Sequence, residues 1–314
     1  DIASANNYPN FMPVQEVEDY PSIWAAKGNM PYFAAEFALP YGGTWYKGSQ
    51  FLGTEYAAMR FGNKAYSQEP EALLQQTVEI GLGNKGHGNS LGTARPIFPM
   101  YWQVRRLYVT RTDRAWRTWG VQGWHYFNFG AGYGDPPGEK SNRFNRYSVL
   151  KEPVTERPGW ANPNFDIHSE TMQPLLVYLA GTPGFTDKTH TFLSGEEIRK
   201  QMAVVWDGAG TRNLEGHWTL LQGDAVLAEG KAELGVKAGD VAFAPISLRA
   251  PDVTERTDFE LKLAVREQGQ LVAQDTFVLT VFPPLATPLA LAGGVALWDP
   301  GGKSRAWLDR LGVA

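Results

Sequence analysis

Six runs of alternating apolar and polar residues follow one another between Ile198 and Pro284. Alternation with a period of two is typical of a strand with one buried face, and turns at this spacing are typical of antiparallel neighbours. The pattern therefore predicts an antiparallel β-sandwich over residues 196–284. The six runs span residues 201–206, 217–221, 225–229, 241–248, 259–265 and 274–282. Turn pairs between them include Asp207-Gly208, Gln222-Gly223, Ala238-Gly239 and Gln268-Gly269.

The first 185 residues have a different pattern, in which strand-like and helix-like segments alternate. Such alternation is typical of a parallel sheet or a barrel. The predicted strands are 1–8, 31–39 and 121–129, and the predicted helices are 17–27, 54–61, 69–80, 101–119 and, as one last helix, 172–179. The helix 101–119 carries arginines that we expect on a solvated or salt-bridged face rather than in an anion site: Arg105, Arg106, Arg111, Arg114 and Arg117.

A third segment, residues 287–314, predicts a strand at 295–298 and a helix at 304–311. One strand and one helix cannot bury their own apolar faces, so they are either the first unit of a further α/β domain or a docking tail. A C-terminal helix packed on the sandwich is the other interpretation.

Composition limits the classes of partner. The chain has 314 residues and a net charge of −4, so no excess of basic residues predicts binding to nucleic acid or to an anionic membrane. The chain has no cysteine, which excludes disulfides and thiolate chemistry, and its five histidines show no spacing typical of a metal site. Aromatic residues make up 13%, a share compatible either with sugar stacking or with a large core. The compartment stays open, with a weak preference for a periplasmic or secreted protein.

Glu36 lies in the middle of an apolar, proline-bounded run, Met30 to Pro40. A carboxylate inside a buried strand is costly unless it is paired or has a chemical task. At the carboxyl end of a parallel-barrel strand, such a residue points into the active-site mouth. The alternative is a structural glutamate paired with an arginine such as Arg60 or Arg105.

Three short motifs resemble the last three strands of a clan-A retaining glycoside hydrolase, a (β/α)8 enzyme of the β-galactosidase-like multidomain type. Asn6-Asn7-Tyr8 resembles the end of strand six, Ala35-Glu36-Phe37 resembles strand seven with its nucleophile, and Gly123-Trp124-His125 resembles strand eight with its subsite tryptophan. The sandwich resembles the immunoglobulin-like domain that follows the barrel in such families. The segment 287–314 is similar to the start of their amidotransferase-like domain.

The resemblance implies a partial (β/α)8 barrel and a retaining hydrolysis of a β-glycosidic bond, with Glu36 as the nucleophile. It implies no cofactor, and an oligosaccharide or polysaccharide substrate. The acid/base residue of the clan lies on strand four, outside this segment, so we expect little activity from this chain alone. The missing N-terminal part of the same enzyme, or a homo-oligomer, is the expected partner. The implied substrate-binding residues are Asn7, Tyr8, Trp45, Trp124 and His125.

Two other interpretations remain at this point. One is a non-catalytic carbohydrate-binding or scaffold protein built on a partial barrel. The other is an enzyme of a different class on the same barrel, because barrels support many chemistries.

Overall fold

The computed structural model describes residues 2–7, 14–28, 30–37, 101–121, 123–126, 169–284 and 297–310. In the N-terminal part, three strands form one sheet in which β2 lies between β1 and β3, and both pairings are parallel. The predicted parallel arrangement is thus confirmed for these strands, and the (β/α)8 barrel stays a prediction. The elements are β1 (Ala3–Asn7), α1 (Val14–Lys27), β2 (Tyr32–Phe37), α2 (Tyr101–Thr118) and β3 (Gly123–Tyr126).

Helix α1 contains Pro21, and a tryptophan side chain from the neighbouring helix replaces the hydrogen bond that this proline removes. Proline has no N–H, so the carbonyl four residues earlier, that of Val17, loses its partner within the helix. The indole N–H of Trp116 donates to this carbonyl at 3.2 Å, and that of Trp119 donates to the Glu18 carbonyl at 3.0 Å. Trp116 of α2 and Trp119, directly after it, therefore fix α2 on α1 at the point where the proline leaves a carbonyl unpaired.

The sandwich has eight strands in two sheets. The larger sheet has the order β5-β11-β10-β7-β8 and the smaller has the order β4-β6-β9. All pairings are antiparallel except that of β5 with β11. The order β11-β10-β7 is also that of strands G, F and C in immunoglobulin-type sandwiches. The strands are β4 (Leu175–Ala180), β5 (Thr191–Leu193), β6 (Glu197–Trp206), β7 (Thr211–Gln222), β8 (Ala225–Lys237), β9 (Asp240–Arg249), β10 (Thr257–Glu267) and β11 (Gln270–Phe282).

All six strands that alternation predicts in this region are confirmed, each with longer bounds. The turn between β10 and β11 shows how the local sequence specifies a tight hairpin. Gln268 and Gly269 both have positive φ, 50° and 80°, as a tight hairpin turn of type I′ requires. Between the sheets, Met202 and Val204 of the smaller sheet pack in one apolar core with Leu261 and Leu279 of the larger.

The helix predicted at 172–179 is wrong, because Leu175–Ala180 is strand β4, paired antiparallel with β6. A short continuous apolar run has no period that separates a strand from a helix. This run is apolar throughout because both of its faces are buried. Leu179 lies in the sandwich core, whereas Tyr178 lies in a second cluster, and its hydroxyl is 2.7 Å from Thr118 Oγ1 of α2. By strand pairing the sandwich begins at β4, inside the range 1–185 assigned to the barrel.

At the C-terminal end, α3 (Lys303–Arg310) confirms the predicted helix. Of the predicted strand 295–298, Leu297 and Trp298 have no regular structure, and the other two residues lie outside the described residues. Trp298 is 90% exposed. None of the described helices combines the length and the apolar character that a membrane span needs.

Candidate functional site

The carboxyl ends of β1, β2 and β3 meet at one edge of the parallel sheet. Asn6 is the register partner of Glu36, and Asn7 is the partner of Phe37. On the other side of β2, Phe37 is the partner of Tyr126. Hydrogen-bonded strands lie about 4.8 Å apart, so this edge brings together segments separated by 30 and by 90 residues or so in the sequence. We call these ends, Asn6-Asn7, Glu36-Phe37 and His125-Tyr126, the carboxyl edge.

Glu36 lies on the central strand of the three, with a parallel neighbour on each side. Two residues before it, Ala34 is completely buried. A strand end held on both sides is a rigid support, and carboxyl ends of parallel strands are where α/β folds bind ligands. The strand ends that carry Asn6, Glu36 and His125 in the backbone are therefore neighbours in one sheet.

Trp124 is one residue before His125 on β3, and its register partner is Ala34. Its ring packs edge-to-face against Trp116 of α2, with the centroids 5.7 Å apart. Its indole N–H is buried and has no hydrogen-bond partner among the described residues. The contact with Trp116 is a core contact, and the role of Trp124 in a sugar subsite stays a prediction.

The other predicted site residues are placed as follows. Asn7 and His125 lie at the carboxyl edge by their backbone positions, as Glu36 does. Tyr8 and Trp45 lie outside the described residues, and so does Arg60, one of the two suggested partners of Glu36. No described residues include three His, Asp or Glu side chains grouped to hold a metal ion.

A second polar site, which the sequence did not predict, lies between the helices and the sandwich. Arg111 of α2 forms an ion pair with Asp187, and its Nη1 is 3.8 Å from the Glu18 carboxylate of α1. His190 Nε2 lies 3.0 Å from the Asp187 carboxylate, and Lys200 Nζ donates to the Lys188 carbonyl at 2.9 Å. We call this group, Glu18, Arg111, Asp187, His190 and Lys200, the junction cluster.

Burial shifts the pKa of three members of the junction cluster. It raises the pKa of Glu18 to about 8, an effect that the neighbouring Asp187 increases and Arg111 reduces. Burial lowers the pKa of Lys200 to about 8. For Asp187 burial acts to raise the pKa, but the hydrogen bond from His190 and the charge of Arg111 outweigh it and hold the pKa at about 2. The cluster thus holds one firmly ionised carboxylate and one that is mostly protonated at neutral pH.

Helix α2 contacts the sandwich through three of its five arginines, so ion pairs are confirmed for Arg111, Arg114 and Arg117. Besides Arg111, Arg114 donates to Asp275 at 2.7 Å and Arg117 donates to Asp207 at 2.8 Å. The three arginines follow one another at intervals of three residues, so they lie on one side of the helix. That spacing is visible in the sequence, but their acidic partners lie on distant loops and strands, which no local pattern reveals.

No family model matches this chain, and no curated protein matches it. Among solved structures, it is similar to the CARDB domain of the PF1109 protein from Pyrococcus furiosus, in complex with di-metal ions: 14% identity, TM-score 0.26, 34% of this chain and 91% of that one. It is also similar to a β-glucuronidase from glycoside hydrolase family 2: 12% identity, TM-score 0.25, 35% of this chain and 11% of that one. The chain thus spans about a tenth of the enzyme that it matches. At these TM-scores, neither likeness bears on the chemistry of this chain, and the glycoside hydrolase is a distant structural neighbour only.

Proposed function

We propose that this chain is the C-terminal part of a retaining β-glycosidase, in which Glu36 is the nucleophile. The observation that supports this is the carboxyl edge: three parallel strands in sequential order place Asn6-Asn7, Glu36 and His125 at neighbouring strand ends. A nucleophile must be held rigidly at the anomeric carbon, and the end of a central strand meets that need.

The reaction follows the two steps of retaining glycosidases. The Glu36 carboxylate attacks the anomeric carbon and displaces the leaving group, which takes a proton from an acid residue outside this segment. Water, deprotonated by the same residue, then attacks the glycosyl-enzyme ester and releases Glu36. Asn7, Tyr8, Trp45, Trp124 and His125 are the proposed contacts to an oligosaccharide or polysaccharide.

The first test uses the native protein, purified from its source. Its intact mass and N-terminal sequence are measured before and after incubation with 2-deoxy-2-fluoroglycosyl fluorides of glucose, galactose and mannose. Fluorine at C2 slows the second step, so the glycosyl-enzyme accumulates. We expect a mass above the 34.8 kDa of this chain and a fluoroglycosyl adduct on the peptide that contains Glu36.

Variants of the full-length protein test whether Glu36 itself is the nucleophile. We expect Glu36→Gln to lower kcat by about 10⁴-fold or more, because a neutral amide cannot form the ester intermediate. In Glu36→Ala, added azide should restore turnover and yield a glycosyl azide of inverted configuration. The matched control is Glu16→Gln, an exposed glutamate of α1, which should retain full activity. A mass of 34.8 kDa without any adduct would leave the alternative, a non-catalytic carbohydrate-binding or scaffold protein.

A further inference from the structure

A cavity of about 400 Å³ lies between α2 and the sandwich. Its helix side carries three arginines, Arg106, Arg111 and Arg114. Its sandwich side carries residues of the loop before β5 and of β11: Thr186, Asp187, His190, Thr276, Phe277 and Val278. This volume is sufficient for a small molecule, and charged groups are concentrated on one wall.

Two buried polar atoms, one on each side of this cavity, have no hydrogen-bond partner among the described residues. One is Oγ1 of Thr186, a residue that is 4% exposed. The other is Nε of Arg114, whose two terminal nitrogens both donate to Asp275, at 3.3 and 2.7 Å. A buried donor without a partner is destabilising, and more so when the group is charged. Thr186 and Arg114 both line this cavity, and acceptor oxygens of an occupant are the partners that both unpaired donors require.

The net charge of the cavity lining determines which class of ligand it favours. The cavity lining holds three guanidinium groups and one carboxylate, that of Asp187, which Arg111 and His190 already engage. Asp275 adds a second carboxylate, and it is fully used by Arg114 and by the backbone N–H of Leu179. Arg106 is exposed at the rim of the cavity. Positive charge therefore exceeds negative charge, and the excess favours an anion.

We propose that this cavity binds a small oxyanion, a carboxylate or phosphate group, through Arg106, Arg114 Nε and the Thr186 hydroxyl. Guanidinium N–H groups match the geometry of both kinds of oxyanion. The ring of His190, stacked on Phe277 with the centroids 4.6 Å apart, forms the adjacent surface against which the remainder of a ligand would pack. The site is independent of Glu36 and of the proposed glycosidase reaction.

The test is a titration of the purified 314-residue chain with inorganic phosphate and, separately, with acetate, at constant ionic strength. Ring resonances of the histidines are followed by NMR and assigned with His190→Asn. We expect those of His190 to shift and saturate, while those of His217, on β7 and two strands from β11 in the larger sheet, stay in place. Tighter binding of phosphate identifies a phosphate-bearing ligand, and tighter binding of acetate identifies a carboxylate.

Two variants and one control decide the outcome. Arg106→Gln and Thr186→Val should each weaken binding by about tenfold, because each removes a hydrogen bond to a charged group. Arg256→Gln removes an exposed arginine on the sandwich and should leave the affinity unchanged. Because Thr186 is buried, thermal melts check that the Thr186→Val variant still folds. If it does not, Arg106→Gln, at an exposed residue, decides the outcome. The proposal is overturned if neither anion saturates the His190 shift, if His217 shifts in parallel, or if Arg106→Gln binds as the parent does.

Discussion

Two buried regions of this molecule are held together by different interactions. The core between the sheets is formed by aliphatic and aromatic side chains such as Met202, Leu261 and Leu279. The junction cluster between the helices and the smaller sheet instead buries Glu18 and Lys200 almost completely, at 0% and 1% exposure. Apolar burial stabilises a fold in proportion to area, whatever the pH, whereas buried ionisable groups make stability depend on pH and on exact pairing.

The smaller sheet belongs to both regions, which explains why they form one continuous interior. Val204 of β6 faces the larger sheet, while Ala203 and Val205 belong to the cluster on the side of α2. The outer face of a sandwich sheet is commonly solvated and polar. Here it is buried by a helix: Tyr178 of β4 is completely buried, its hydroxyl is 2.7 Å from Thr118 Oγ1, and the Arg114 guanidinium lies over its ring. The sandwich therefore supports α2 on the outer face of its smaller sheet.

The largest expected effect concerns the sandwich core. Leu261 lies on β10 in the middle of the larger sheet and is completely buried. Leu261→Ala should lower the free energy of unfolding by about 3 kcal/mol, because it removes buried methyl groups and leaves a cavity. Urea unfolding at pH 6 and at pH 8 should show the same loss. Val278→Ala, on a residue 53% exposed, is the control and should change stability by less than about 0.5 kcal/mol. A loss for Leu261→Ala that varies with pH would contradict the separation of the two regions.

The second prediction concerns the pH dependence of the junction cluster. The pKa of Glu18 is raised in the folded protein to about 8, so its contribution to stability is complete below its ordinary value of 4.5 and is lost as the pH rises through 8. The unfolding free energy should therefore fall between pH 6 and pH 8, by up to about 1.4 kcal/mol per pH unit.

Glu18→Gln removes this titration, and we expect the pH profile of urea unfolding to become flatter by about 2 kcal/mol over the same interval. Glu16→Gln, on the exposed side of α1, is the matched control and should keep the parent slope. Above pH 8 the lowered pKa of Lys200 has the opposite effect, since the folded protein has then lost a proton that the unfolded chain retains up to about 10.5. Stability should rise again with pH in that range, so a monotonic fall from pH 6 to pH 10 would contradict the assignment.

The sequence predicts these regions unequally, and the physical reason is the range of the interactions. Alternation is a local signal, so it reveals the strands with one buried face, from β7 to β11. β6 is buried on both faces, and the turn pair Asp207-Gly208 marks its end. The signal fails for Leu175–Ala180 because burial on both faces removes the alternation. The backbone position of Glu36 at the end of a parallel strand follows from local patterns too. The junction cluster does not, because Arg111 and Asp187 are far apart in the sequence and meet only when the sandwich packs on α2.

The smallest expected effect tests the contact between the two regions directly. Arg117 of α2 donates to the Asp207 carboxylate, in the loop after β6, and to the carbonyls of Thr171 and Pro174, which precede β4. Arg117→Met keeps the aliphatic stem but loses these bonds, and since Asp207 is half exposed we expect a cost of about 1 kcal/mol. Arg199→Met breaks an exposed ion pair with Glu197 and should have little effect on stability. Both variants are measured by urea unfolding followed by tryptophan fluorescence, to which Trp116 of α2 and Trp119, directly after it, contribute. If the sandwich supports α2, Arg117→Met should also broaden the transition, because the helices then begin to unfold before the sandwich. An unchanged, single transition at equal cost for both variants would show that α2 and the sandwich are coupled by the apolar contacts of Tyr178 and its neighbours alone.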